Sequence, residues 1–402
     1  MSVKMIIGAV VGIIAIGLIS GAQAVEEFQI SYSCTDCHPD RYEEWGRSIH
    51  ALAVSDPVFE AAYMRALKSD PKYREYCLGC HSPITKVTKD FNLTKSISVE
   101  GVTCSFCHSV TGVEGNDYAL NTGNLMVGPY TDSMTDAHTS IYSQMLTTSE
   151  FCSGCHELSI NGVPVFETYS EWKEGPYSAE GKQCQDCHME AKRGVAAKNG
   201  TLREKVYQHF WYGSHSGQFL AKAFRIESNI QQTGSRVKVT LNITNNNVGH
   251  KIPSGIPSRK VILDFKATDE NGKSLFSAQK VYTKTLVDQY GDEVYDFWKA
   301  ASVASDNRIK PRENRIEVFE FEIQDGINKL ETHATLTYQN EAEIITRSVE
   351  SMSAEIASNG TTTWFNQTAA PGNTAPKESP ALGGIGSVVA LIAIYLVRKK
   401  NG

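Results

Sequence analysis

Cys34-Thr-Asp-Cys37-His38, Cys77-Leu-Gly-Cys80-His81, Cys104-Ser-Phe-Cys107-His108, Cys152-Ser-Gly-Cys155-His156 and Cys184-Gln-Asp-Cys187-His188 repeat one signature five times and use every cysteine of the chain. With 10 Cys and 11 His in 402 residues, chance supplies about 0.007 such matches. Cys-x-x-Cys-His is the attachment signal for c-type haem: two thiols add across the vinyl groups, and the adjacent His becomes an axial ligand to iron. Zinc ribbons also pair cysteines at this spacing, and exported proteins pair them as disulfides, but neither chemistry calls for a His after every pair. The expectation is five covalently bound haem c groups, held by Cys34, Cys37, Cys77, Cys80, Cys104, Cys107, Cys152, Cys155, Cys184 and Cys187. The proximal iron ligands are then His38, His81, His108, His156 and His188.

Around these motifs, from residue 25 to residue 217, periodicity is weak and aliphatic residues are sparse. Such a segment cannot build an ordinary core, so packed porphyrins are expected to supply its apolar volume. Short helices are expected at 40–53, where Tyr42, Trp45, Ile49 and Leu52 share a face, and at 58–67. After Phe219 the texture changes. Runs such as Arg236-Val-Lys-Val-Thr-Leu-Asn-Ile243 and Ile316-Glu-Val-Phe-Glu-Phe-Glu-Ile323 alternate, with turn signals at Glu270-Asn-Gly272 and Gln324-Asp-Gly326. Short alternating strands with polar turns predict an antiparallel β-sandwich over 218–350, free of cysteine. The fold class is therefore multidomain: a mainly α or irregular multihaem domain (25–217), then the sandwich.

The two ends suggest export. Residues 1–24 combine a basic start, an apolar middle and an Ala-x-Ala end, the pattern of a signal peptide; the apolar run also reaches the length at which an uncleaved anchor becomes an alternative. Residues 351–380, rich in Ser, Thr, Asn and Pro, read as a stalk. Residues 381–397 form an apolar run followed by the basic tail 398–402, which predicts a C-terminal transmembrane helix with the body outside. The net charge of −6, without a basic stripe, argues against nucleic acid as a partner.

Five irons leave five distal positions, and the chain has six further histidines: His50, His138, His209, His215, His250 and His333. His50 follows the first motif on the expected helix. His138 lies between the third and fourth motifs, His209 and His215 just past the last, and His250 in the loop Gly249-His250-Lys-Ile-Pro-Ser-Gly255 between strands. These five are the candidate distal ligands. His333 alternates within a strand and reads as structural.

Cys34 to His38 followed by Tyr42, Trp45, Ser48 and His50 resembles the opening of the multihaem cytochrome c family that includes hydroxylamine oxidoreductase, its tetrahaem electron acceptor and pentahaem nitrite reductase. Gly101-Val-Thr-Cys104 to His108 and Glu180-Gly-Lys-Gln-Cys184 to His188-Met are similar to later motifs of that group. The loop 249–255 resembles one in surface multihaem proteins of archaea and metal-reducing bacteria, and the stalk, span and basic tail resemble archaeal sorting signals. The resemblance implies mostly bis-histidine haems in close pairs.

Two functions follow. Bis-histidine iron exchanges electrons but binds no substrate, which points to electron transfer at the cell surface. Its partners would be a membrane donor or other redox proteins and an extracellular acceptor, and a homo-oligomer or filament is a further form. The alternative is a reductase or oxidase of nitrite, hydroxylamine or another small nitrogen or sulfur compound, which needs one haem with an open face.

Overall fold

The computed structural model describes residues 28–121, 125–340 and 353–365. Its two regions are held together differently. The second is the sandwich, with seven long strands: β1 (Phe224–Thr233), β2 (Arg236–Asn245), β3 (Lys260–Thr268), β4 (Ser274–Tyr282), β5 (Asn314–Glu322), β6 (Lys329–Gln339) and β7 (Ser353–Trp364). One sheet has the order β5-β2-β1 and the other β4-β3-β6-β7, all pairs antiparallel. Alternation sends every second side chain inward. Val237, Val239, Leu241 and Ile243 of β2 thus face Val261, Leu263, Phe265 and Ala267 of β3, and all are buried. The rings of Phe265 and Phe319 stack across the two sheets at 4.5 Å.

Strand β7 occupies residues assigned above to the stalk. It pairs along β6, and its Asn359 side chain accepts a hydrogen bond from Ser228 of β1 at 2.9 Å, which ties the edges of the two sheets. The Ser/Thr-rich composition that reads as a stalk also suits an exposed edge strand: β-branched Thr fits a pleated surface, while Ile356 supplies the buried anchor. The sandwich therefore extends at least to Trp364. The expected signal peptide, the rest of the stalk and the C-terminal span lie outside the described residues. Among the described residues no helix is long and apolar enough to cross a membrane.

The first region consists of short helices and two-stranded ribbons. Helix α1 (Pro39–Gly46) ends earlier than periodicity predicts. Ser48 Oγ donates to the Trp45 carbonyl at 2.7 Å, a local bond that competes with helix continuation. Helix α2 (Pro57–Ser69) starts where expected, with Asp56 accepting from the backbone N–H groups of Val58 and Phe59 at 3.0 and 2.9 Å and Pro57 in the first turn.

Apolar packing and ion pairs join the regions. Between β4 and β5 the chain leaves the sandwich, and Leu286, Trp298 and Ala300 pack on Ala66, Ile160, Val163 and Val165. Beside this cluster, Arg308 from the excursion pairs with Asp306 at 2.8 Å and with Glu171 of the first region at 2.6 Å. Lys251 pairs with Asp306 at 2.8 Å and its backbone N–H donates to Glu171 at 3.1 Å.

Candidate haem-binding cavity

The second to fifth motifs sit in helical turns: Tyr73–His81, Cys104–Cys107, Glu150–His156 and Cys184–His188. In the first, His38 N–H still donates to the Cys34 carbonyl at 2.8 Å. Helical residues at i and i+3 lie on one face, so each turn presents two thiols together with the imidazole beside them. The turns are capped locally: Thr103 Oγ1 accepts from Phe106 N–H at 3.1 Å, and the Asp186 carboxylate accepts from Gln183 N–H at 2.8 Å.

All ten cysteines and ten of the eleven histidines line one continuous cavity of about 2660 Å³; His333 is the exception and lies in β6. Shared among five groups this is about 530 Å³ each, within the roughly 300–1,000 Å³ of a pocket for one cofactor-sized ligand. No two cysteines form a disulfide. The thiols of Cys34 and Cys104, of Cys80 and Cys155, and of Cys152 and Cys184 lie close enough to perturb one another's ionisation. They bring the first motif to the third, the second to the fourth, and the fourth to the fifth.

Four motif histidines face a second imidazole across this cavity. Ring centroids are 6.5 Å apart for His38 and His138, 6.2 Å for His156 and His50, 6.3 Å for His108 and His209, and 6.4 Å for His188 and His250. Rings stacked in contact would be closer. Two imidazoles bound to opposite sides of one metal, with metal–nitrogen bonds of about 2 Å, give roughly 6 Å between centroids.

Backbone carbonyls hold most of these rings by the other nitrogen. Nδ1 of His38, His81, His108 and His188 bonds the carbonyls of Ala196, Ala53, Val127 and Tyr212 at 3.0, 2.9, 2.7 and 2.5 Å. His209 and His250 do the same with Tyr207 and Lys251 at 3.1 and 2.9 Å. A proton fixed on Nδ1 leaves Nε2 with a free lone pair, the arrangement a ligating histidine needs. Burial drives His50 and His209 down to about 3 and His156 and His250 to about 4, so these imidazoles are neutral. Gly101 serves the same geometry. At φ +71° it passes under the His50 carbonyl, and a Cβ there would lie 2.5 Å from that oxygen.

The family model described as "Cytochrome c554 and c-prime" matches residues 33–109, which span the first three motifs. The penta-heme cytochrome c552 of Thermochromatium tepidum superposes with a TM-score of 0.67 at 21% identity, over 84% of this chain and 99% of that one. The fold is that of a multihaem c-type cytochrome. A glycosyl hydrolase family 2 member from Bacteroides cellulosilyticus overlaps 36% of this chain and 14% of its own, at 11% identity and a TM-score of 0.20, too slight a likeness to bear on function. No curated protein matches the chain.

The residues of this cavity fit haem c. Thiols and neutral imidazoles converge in pairs, while among the described residues no three His, Cys, Asp or Glu side chains converge as a bare ion requires. Arg41 and Arg259 line the same cavity, each with a buried Nε that has no partner among the described residues. Such orphaned guanidinium donors suit carboxylates like the haem propionates.

Two cavity-lining histidines, His81 and His215, stand outside these four pairs. His81 packs flat against Phe59, ring centroids 3.8 Å apart, which covers its flank. His215, expected as a distal ligand, lines the same cavity, and the Asp56 carboxylate acts electrostatically on both it and His81. The chain turns there: Asn340 Nδ2, just past β6, donates to the Ser214 carbonyl at 3.0 Å, and Ser216 caps the turn of helix leading into β1. Sequence spacing did not foretell this turn, nor the role of Trp211, whose indole touches two of the paired histidines.

Proposed function

We propose that the chain is a pentahaem electron-transfer protein in which His50–His156, His38–His138, His108–His209 and His188–His250 are axial pairs. The observation that carries this is the recurrence of one spacing, 6.2–6.5 Å, in four places that each join a motif histidine to a non-motif one. Haem c supplies a one-electron iron couple; the protein's task is to hold the imidazoles, exclude water and keep neighbouring groups close. The thiol contacts support a path from first to third motif and another through second, fourth and fifth. Cys37 and Cys187 are the exposed members of the ten, which favours the first group as the outlet of one path and the fifth as the outlet of the other.

A second reading rests on His81. His81 stands outside the four ring pairs, so the second group is where a small ligand such as nitrite or hydroxylamine would reach iron if His215 does not fill its distal position. Electron paramagnetic resonance of the oxidised protein, with and without nitrite or cyanide, separates the two. Four low-spin signals indifferent to ligand and one centre that responds would make the second group a substrate site. Five indifferent low-spin signals would leave electron transfer alone.

Kinship with hydroxylamine oxidoreductase and its tetrahaem acceptor is part of the same proposal. So are export and anchoring at the cell surface by residues 381–397, with a membrane or protein donor, an extracellular acceptor, and a homo-oligomer or filament as the assembled form. The apolar run and basic tail support the anchor. Carbonate extraction of membranes, comparing the full chain with one ending at residue 380, tests it: release of both forms alike would refute it.

A further inference from the structure

Trp211 lies between two imidazoles that belong to different pairs. Its ring is 4.8 Å from His50 at 77° and 5.1 Å from His209 at 86°, both edge-to-face contacts. His50 stands opposite His156 in the fourth motif, and His209 opposite His108 in the third. The residue is held there at some expense: its φ of +45° is a region bulky side chains avoid. Both flanks are pinned. The Glu44 carboxylate accepts from His209 N–H at 3.0 Å, and the Tyr212 carbonyl bonds His188 Nδ1.

The His50–His156 pair differs from the other three in two ways. Its ring planes cross at 68°, against 25°, 22° and 10° elsewhere. Neither of its rings makes a hydrogen bond among the described residues, whereas each of the other pairs has at least one ring tied to a carbonyl. An imidazole on a metal can spin about its metal–nitrogen bond, and its second contact stops it. For His50 the remaining ring contact is Trp211.

We propose that Trp211 is a positioning residue that sets the twist of His50 against His156 and, through its second contact with His209, ties the axial geometry of the fourth group to that of the third. The proposal rests on the axial pairing put forward above. The angle between two axial imidazole planes sets the splitting of the iron d orbitals. Near-parallel planes give a rhombic ferric low-spin signal, and near-perpendicular planes a strongly anisotropic one at higher g; the twist also moves the reduction potential.

The experiment uses the full chain with all five haems verified by mass, comparing Trp211→Leu and Trp211→Phe with the unaltered protein by electron paramagnetic resonance and by optical redox titration. The unaltered protein should show one strongly anisotropic low-spin signal beside three rhombic ones. Leucine should turn the anisotropic signal towards rhombic and shift the midpoints of two haems. Phenylalanine should do the same to a smaller degree. A fully loaded phenylalanine variant identical to the unaltered protein would overturn the proposal, and it alone decides if the leucine variant loses a haem. A change confined to one haem would overturn the tie between groups. Absence of low-spin signals from the unaltered protein would instead sink the axial pairing, and their presence without an anisotropic member would sink only the role of Trp211.

Discussion

In the sandwich, β2 and β3 bring Val237, Val239, Val261, Leu263 and Ala267 into a core that excludes solvent. In the first region the described aliphatic residues are scattered, and the space they would fill is a cavity of about 2660 Å³ lined by thiols and imidazoles. One region thus encodes its interior in its own side chains, and the other encodes the means of acquiring one.

The largest effect should come from withholding the cofactor. A full-length chain made without haem attachment is expected to lose all protease protection between residues 28 and 217 while β1 to β6 stay protected. Limited proteolysis read by mass spectrometry measures this. A colourless protein protected throughout would break the contrast, because it would mean that the first region folds on side chains alone. The complementary change is Leu263→Ala, at a position with 0% exposure. It should cost about 2–5 kcal/mol in denaturant melts of the sandwich and leave the visible spectrum of the haems unaltered. A spectral change would show the two interiors to be coupled.

The same contrast explains what could be read from the sequence. Six of the seven long strands lie where alternation puts them, because a period of two is imposed by a two-faced sheet and survives in the residues themselves. Strand β7 is polar on its open edge, so its signal is that of a stalk except for Ile356. In the first region the motifs announce their chemistry, yet nothing periodic marks the ribbons or the turn at Ser214. Such turns decide where a lone histidine arrives: His50 and His209 stand opposite a motif histidine across the cavity. Trp211 carries no motif at all, and only the placement of His50 and His209 makes it visible.

The joint between the regions offers the smallest effect. Burial alone would raise the Asp306 carboxyl, but hydrogen bonds from Arg308 and Lys251 hold it well below the usual carboxylate range. A native pKa below the unfolded one means that the unfolded chain takes up the proton first as pH falls. The carboxylate's contribution is therefore complete above the unfolded value of about 3.9 and is lost as pH drops below it towards the native value. Asp306→Asn should cost about 1 kcal/mol at pH 7, in keeping with a partly exposed pair. Denaturant melts should show the gap between variant and parent closing below about pH 4. A gap that stays constant across that range would mean that the joint is held by the apolar contacts of Trp298 and Leu286, and that charge does nothing to fasten the sandwich to the haem-binding region.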